Sequence, residues 1–286
     1  MEKVVGGVEA PAVVVEEVMR YEAGALSAVQ SPVQAERLVD VSVNGRSLLR
    51  MSCTATHLAE LVVGRLYAER VIDGADEIAS IDIDAREGGV QVRLAGSAER
   101  ARVHEARVRL ARREVDTTGG SNAISWRDGR LEHLSPVAPI AWNPEWILTV
   151  AREFARDKTL HARTRGSHSA YLASGESILC VQEDIGRHNA IDKAVGWALM
   201  NGADLTECLL FTSGRVPLDM VAKAVRARVP ILVSKSVPTD QGAALARACG
   251  LTLLCMAQPD SFLVVSDGER SLSENGAGFL EKGGEA

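Results

Sequence analysis

Twelve consecutive residues, Gln182-Glu183-Asp184-Ile185-Gly186-Arg187-His188-Asn189-Ala190-Ile191-Asp192-Lys193, carry eight polar groups and a glycine. Arg187 offers a planar fork of donors, and the adjacent His188 can hold or release a proton near neutrality. That pair suits a phosphate or a polar heterocycle. Glu183 and Arg187 stand four apart, as do His188 and Asp192, so each pair would meet on a helix face. The same spacing also describes a solvated helix face that does no chemistry. Two further segments combine hydroxyls with a cation: Thr212-Ser213-Gly214-Arg215 and Ser234-Lys235-Ser236-Val237-Pro238-Thr239. At a helix start, free N–H groups and a partial positive charge make such a segment an anion site. Capping by Ser213 or Thr239 and solvation of Arg215 would account for either loop separately. Gly166-Ser167-His168 is a fourth candidate, or a turn with a surface histidine.

Parallel α/β sheets bind ligands beyond the carboxyl ends of their strands, so the surrounding elements decide whether these loops meet. Apolar runs at 208–212, 231–234 and 251–256 read as strands, and 217–228 and 239–248 as the helices between them. Strands about 20 residues apart with intervening helices predict parallel βαβ units with right-handed crossovers. Upstream, 168–173 and 176–182 predict a hairpin, and 184–201 a helix closed by Gly202. Pro144 suits the first turn of a helix reaching to about 158. Residues 136–144, with Pro136, Pro139 and Pro144, read as a linker. In the N-terminal half, 38–50 alternates around Asn44-Gly45, a hairpin signal. The run 56–71 has Leu58, Leu61, Val62 and Leu66 at helical spacing, and 77–84 and 89–94 read as strands. The Arg-rich run 98–113 reads as a helix and 116–122 as a polar loop. The first 35 residues show no clean period and read as a loosely attached arm.

Composition narrows the function class. The 286 residues are 46% hydrophobic and 24% charged, which excludes a disordered or collagen-like chain. A net charge of −6 argues against gripping nucleic acid as the main task, while leaving room for a local basic pocket. The longest run free of Asp, Glu, Lys and Arg, 23–35, has 13 residues. A membrane span needs about 20. Residues 1–20 lack the pattern of a secretory signal. The cysteines Cys53, Cys180, Cys208, Cys249 and Cys255 are odd in number, and no two form a Cys-x-x-Cys pair. They read as reduced thiols of a cytoplasmic protein without a zinc knuckle.

The stretch from Glu183 to Lys193 resembles the signature of the formate dehydrogenase accessory protein family, FdhD/NarQ. Val43-Asn44-Gly45, the 58–72 helix, Gly166-Ser167-His168-Ser169-Ala170, Ser213-Gly214-Arg215 and Met220-Val221 with Lys223 fall into the family's order. The resemblance implies an α/β fold with a cytidine-deaminase-like three-layer α/β/α core at 145–270. A smaller subdomain at 36–135 would contain the hairpin, with an arm at 1–35, the linker at 136–144 and a flexible tail at 271–286. It implies a cytoplasmic homodimer that serves maturation of molybdenum- or tungsten-dependent formate dehydrogenase. Such a protein accepts sulfur from a cysteine desulfurase on a loop cysteine. It passes the sulfur to the molybdenum bis-molybdopterin guanine dinucleotide cofactor, which it binds as cargo. GDP would be a surrogate ligand. The guanine nucleotide pocket implied by the resemblance consists of Gly166, Ser167, His168, Asp184, Gly186, Arg187, His188, Asp192, Lys193, Ser213, Gly214, Arg215, Ser234, Lys235 and Thr239. Neither a nucleic acid, a membrane nor a metal ligand set is implied.

The chain departs from the family's pattern at two places. The Cys-Gly-x-Cys-Gly loop corresponds here to Asp116-Thr117-Thr118-Gly119-Gly120-Ser121-Asn122-Ala123, which has no cysteine. Ser121 cannot replace it, because persulfide transfer needs a thiolate that attacks sulfur and leaves again. A Lys-Pro-Gly-Arg-like segment reads Gln258-Pro259-Asp260-Ser261. A deaminase would need His-x-Glu and Pro-Cys-x-x-Cys, and the chain has neither. Three readings follow. The chain is a cofactor-binding maturation factor without cysteine-based sulfur transfer. Or it is a sulfurtransferase using another thiol, Cys53 first because it precedes a predicted helix start. Or it is a repurposed fold that binds another nucleotide or a protein.

Overall fold

The computed structural model describes residues 4–84, 88–96, 134–156 and 160–268. The Arg-rich run 98–113, the loop 116–123 with Gly119, Gly120, Ser121 and Asn122, and the tail 271–286 lie outside them. Asn44 and Gly45 have φ of 50° and 76°, the two-residue turn that matches the twist of paired strands. They join β4 (Arg37–Val43) to β5 (Arg46–Cys53). After α1 (Leu58–Ala68) come β6 (Ile78–Asp84) and β7 (Gly89–Leu94). A five-stranded sheet runs β1-β6-β7-β4-β5. Val39, Val41, Met51 and Cys53 turn inward from it and pack with Leu58, Leu61, Val62 and Leu66 of α1.

Residues 4–35, which read from the sequence as a loosely attached arm, hold three strands. β1 (Val4–Val8) pairs in parallel with β6, and β2 (Val13–Glu22) with β3 (Ala25–Gln34) forms a separate hairpin. Most of the hairpin is exposed on both faces. Burial therefore imposes no alternation on its residues, which is why no strand period is visible there.

The second sheet runs β13-β12-β11-β10-β8-β9. β8 (His168–Ser174) and β9 (Ser177–Asp184) are the predicted hairpin. β10 (Leu209–Thr212), β11 (Ile231–Ser234) and β12 (Thr252–Cys255) are parallel, as their recurrence implies. β8 and β13 (Leu263–Ser266) flank them antiparallel. Successive strand residues face opposite sides, so each strand feeds two cores. Leu210, Leu232 and Leu253 pack with α4 (Arg187–Asn201), α5 (Leu218–Arg226) and α6 (Asp240–Ala248). Phe211, Val233 and Leu254 pack with Ile147 and Val150 of α2 (Pro144–Ala155). Pro144 fills the first turn of α2, where Asn143 accepts from Glu145 N at 2.9 Å. A short α3 (Leu160–Thr164) follows. Within the expected linker, Val137 and Trp142 are buried and Val137 N donates to Cys249 O at 3.0 Å, so this stretch lies against the core.

The two sheets meet where α1 crosses α4. A β carbon on Gly64 would stand 1.8 Å from Asp192 O, and one on Gly196 would stand 1.9 Å from Glu60 O. Only a hydrogen fits at either position, so these two glycines set the approach of the helices. That contact fixes α4, whose first turn carries Arg187 and His188. No helix among the described residues is long and apolar enough to cross a membrane.

Candidate functional site

Strand direction brings the candidate segments to one edge. β10 and β11 end there at Thr212 and Ser234. β8 begins there with His168, which lies opposite Asp184 at the end of β9. Ser213 Oγ lies 3.2 Å from His168 Nδ1 and accepts from Ser169 N at 3.0 Å. Ser234 Oγ donates to Gly214 O at 2.7 Å and accepts from Ser236 N at 2.9 Å, which ties the two loops together. Gly214 lies against Arg187, since a β carbon there would come 2.9 Å from Arg187 Cβ and Cδ. Arg187 Nε is buried and has no hydrogen-bond partner. Arg215 is exposed. Lys235 Nζ donates to Gln258 Oε1 at 2.6 Å, so the glutamine that departs from the family's pattern engages one of the site cations. Thr239 accepts from Gly242 N at 3.1 Å and acts as the cap of α6.

His188 is buried, with Nε2 3.2 Å from Asp219 Oδ2 but out of line for a hydrogen bond. Burial, with Lys223 and Arg187 nearby, lowers its pKa to about 2. Burial and Arg187 also lower that of His168, while burial raises that of Asp219. Both imidazoles are therefore neutral near pH 7. Neutral rings can donate and accept toward the uncharged edge of a heterocycle. Negative charge falls to Arg187, Arg215 and Lys235.

Several expected site residues face inward instead. Glu183 and Arg187 do not pair on a helix, because Glu183 lies within β9 and α4 begins only at Arg187. The Glu183 carboxylate accepts from Leu160 N at 2.9 Å and His161 N at 2.8 Å, and so anchors the start of α3. Ser167, buried, donates to the same carboxylate at 3.3 Å, whereas Gly166 is exposed beside Gln34. Asp192 does not meet His188. It pairs with Lys223 Nζ at 2.5 Å, with Arg65 at 3.9 Å. Asp184 pairs with Lys193 at 2.9 Å, both fully buried. Asp184 also accepts from Thr54 N, Gly186 N and Asn189 Nδ2 at 2.9–3.0 Å. Lys193 Nζ donates to Thr54 O and Glu183 O. Asp184, Asp192 and Lys193 thus join the two sheets and hold α4, rather than presenting charge to a ligand. Thr54, Asp219 and the pairing of Asp192 with Lys223 are absent from the sequence reading. Asp219 has a signal, as an acid in the first turn after Pro217, but its proximity to His188 is tertiary.

No thiol is poised for nucleophilic attack. Cys53 is buried, and burial with the Asp184 carboxylate raises its pKa to about 12, against the expectation from its place ahead of α1. Burial also raises Cys180 and Cys255 to about 12, Cys208 to about 11, and Cys249. These are all five cysteines of the chain. Among the described residues no cluster of His, Cys, Asp and Glu could hold a metal ion. A cavity of about 850 Å³, lined by Pro139, Arg247, Gly250 and Asp267 among others, lies at the opposite edge of the sheet and involves none of the candidate residues.

With this geometry in place, comparison with known proteins is decisive. The profile of the FdhD/NarQ family matches residues 34–272. The chain belongs to the FdhD/NarQ family. It is 31% identical over 260 residues to the sulfur carrier protein FdhD of Bacillus subtilis (strain 168), covering 90% of this chain and 96% of that protein. It is 30% identical over 257 residues to that of Listeria innocua, covering 89% and 97%. The fold matches a crystal structure assigned as a formate dehydrogenase accessory protein from Desulfotalea psychrophila, with a TM-score of 0.72 and 22% identity over 92% of this chain and all of that one. Apart from the Asn44-Gly45 turn between β4 and β5, the segments that carry the family pattern here lie at the β8–β11 edge and around the α1–α4 joint.

Proposed function

We propose that this FdhD/NarQ chain serves maturation of a molybdenum- or tungsten-dependent formate dehydrogenase by holding the guanine nucleotide portion of the bis-molybdopterin guanine dinucleotide, bound as cargo, without carrying sulfur on a thiol of its own. The observation that carries the reading is the unpartnered, buried Arg187 Nε beside Gly214, flanked by two neutral imidazoles. Arg187, Arg215 and Lys235 supply charge for a diphosphate. His168 and His188 supply hydrogen bonds for a guanine edge. The raised thiols and the cysteine-free stretch 116–123 support the loss of the sulfur step. On this reading the protein works in the cytoplasm and meets formate dehydrogenase directly. A cysteine desulfurase is not required as its partner. We read the core layout as cytidine-deaminase-like, supported by helices on both faces of a mixed sheet, with no deaminase chemistry retained.

Calorimetric titration with GDP tests the pocket. Arg215→Ala removes a charge-assisted hydrogen bond worth about 1.5–3 kcal/mol, which is about ten- to a hundredfold in affinity. Arg93→Ala, on the other sheet, leaves binding unchanged. Equal affinities for wild type and both variants, or no binding by wild type at millimolar GDP, reject the pocket and leave a repurposed fold. Incubation with a cysteine desulfurase and cysteine leaves no stoichiometric persulfide. A persulfide on Cys53 that passes to an acceptor would restore the sulfurtransferase reading.

A further inference from the structure

Strand order gives the functional edge a direction. β8, β10, β11 and β12 lie side by side, about 4.8 Å apart. His168 opens β8, Ser213 and Gly214 follow β10, Lys235 follows β11, and Gln258 stands just beyond β12. A neutral imidazole thus marks one end and an ammonium the other, with Arg187 against Gly214 between them. The backbone around Lys235 is fixed on both sides. Its N–H donates to Thr212 O at 3.0 Å, while Ser234 O and Ser236 O accept from Ala257 N and Met256 N, each at 3.0 Å. Its side chain is fixed as well, because Nζ donates to Gln258 Oε1 at 2.6 Å. Gln258 is itself held, with its N–H donating to Ser261 O at 2.7 Å and the next carbonyl, Pro259 O, accepting from Arg152 Nε of α2 at 3.1 Å. The acid of this loop, Asp260, is exposed and accepts from Ser261 Oγ at 3.2 Å. An ammonium has three donors, and the carboxamide takes one of them without cancelling its charge. Two donors and the full charge stay available to an anion. A lysine ordered in advance also loses less side-chain freedom when a ligand arrives.

We infer, resting on the nucleotide reading above, that the ligand lies across this edge with its base at His168 and its terminal phosphate at Lys235, and that Gln258 is the positioning residue that presents the Lys235 ammonium to that phosphate. The inner phosphate then falls to Arg187 at Gly214. Two strand spacings separate the base end from the phosphate end, so a nucleoside monophosphate stops short of Lys235 and a diphosphate reaches it. The site thereby selects diphosphates through one side chain. Gln258 touches no phosphate and acts only through Lys235. A glutamate in its place would hold the ammonium equally well and cancel the charge that the phosphate needs.

Calorimetric titration of the full chain with GDP and with GMP tests this through the ratio of the two affinities. Wild type prefers GDP. Lys235→Ala weakens GDP by about tenfold, the loss of one charge-assisted hydrogen bond, and leaves GMP within about twofold. Gln258→Ala weakens GDP by about threefold, again sparing GMP. Lys235→Ala combined with Gln258→Ala binds GDP no more weakly than Lys235→Ala alone, because Gln258 has nothing left to position. Gln258→Glu falls to the level of Lys235→Ala. A glutamine that merely braced its loop would lower both ligands together and add its loss to that of Lys235→Ala. Either of those results overturns the inference, as does a GDP-to-GMP ratio that Lys235→Ala leaves unchanged, or a Gln258→Glu variant that binds GDP like wild type. In each of these cases GDP still binds, and the pocket itself stands. Failure of wild type to bind GDP at all removes the pocket and this inference with it.

Discussion

Replacing Gly64 by alanine tests the joint that holds the functional edge in place. The new β carbon would sit 1.8 Å from the carbonyl oxygen of Asp192 and 2.7 Å from its carbon. Backbone atoms cannot rotate away as a side chain can. Relief therefore requires α1 and α4 to separate by about 1.5 Å, in an interior packed to crystal density. Overpacking of this kind costs about 1–3 kcal/mol, occasionally more. The substitution also gains about 1 kcal/mol of helix propensity. The upper part of the range applies, because the contact is backbone against backbone and the displacement also pulls on the Asp184–Lys193 and Asp192–Lys223 pairs. A net loss of about 2 kcal/mol lowers the midpoint of thermal unfolding by about 4–8 °C for a chain of this size. Gly196→Ala acts through the same crossing, where its β carbon meets Glu60 O at 1.9 Å. Gly89→Ala is the control, since no atom lies within 4 Å of its β carbon and its φ is not positive. Scanning calorimetry of the three variants decides. If Gly64→Ala and Gly196→Ala melt within a degree of wild type, the helices do not depend on these glycines and the account of the joint is wrong.

Asp192→Ala leaves the buried ammonium of Lys223 without its carboxylate and destabilises by about 3–5 kcal/mol, whereas Asp192→Leu with Lys223→Met recovers most of that loss. Chemical denaturation of the cycle checks this, and additive losses would refute it. Near neutrality acid weakens the fold through His188, whose folded pKa of about 2 lies below its unfolded value. Between these the unfolded chain binds the extra proton, so stability falls as pH drops below about 6.5 and loses about 2 kcal/mol by pH 5. His168 adds the same sign, and the raised Asp219 opposes both at lower pH. In denaturation between pH 5 and 7, His188→Gln should flatten the slope; an unchanged slope assigns it elsewhere. The folded chain should resist a thiol-specific disulfide reagent at about pH 8, because the thiolate is the reactive species, and expose all five thiols in denaturant. Rapid labelling of Cys53 in the folded protein would contradict its raised pKa.

Local chemistry made much of this fold legible in the sequence. Asn44-Gly45 admits positive φ at both positions, Pro144 cannot donate and so fits a first helical turn, and strand–helix recurrence leaves parallel β10–β12 as the economical arrangement. The convergence of His168, Ser213 and Ser234 on one edge followed from strand direction. What the sequence could not distinguish was which polar groups face a ligand and which face each other. Glu183, Asp184, Asp192 and Lys193 sit in one stretch with Arg187 and His188, yet their partners, Leu160, Thr54 and Lys223, come from three other parts of the chain. Cys53 shows the same limit, since its place before a helix favours a thiolate and burial beside Asp184 outweighs it. The strands of the first 35 residues were equally hidden, because an exposed hairpin is held by backbone hydrogen bonds that no side-chain period records. Spacing along the chain determines which side chains share a face. Desolvation and pairing depend on what lies across that face, and only the packing of the two sheets through α1 and α4 decided that.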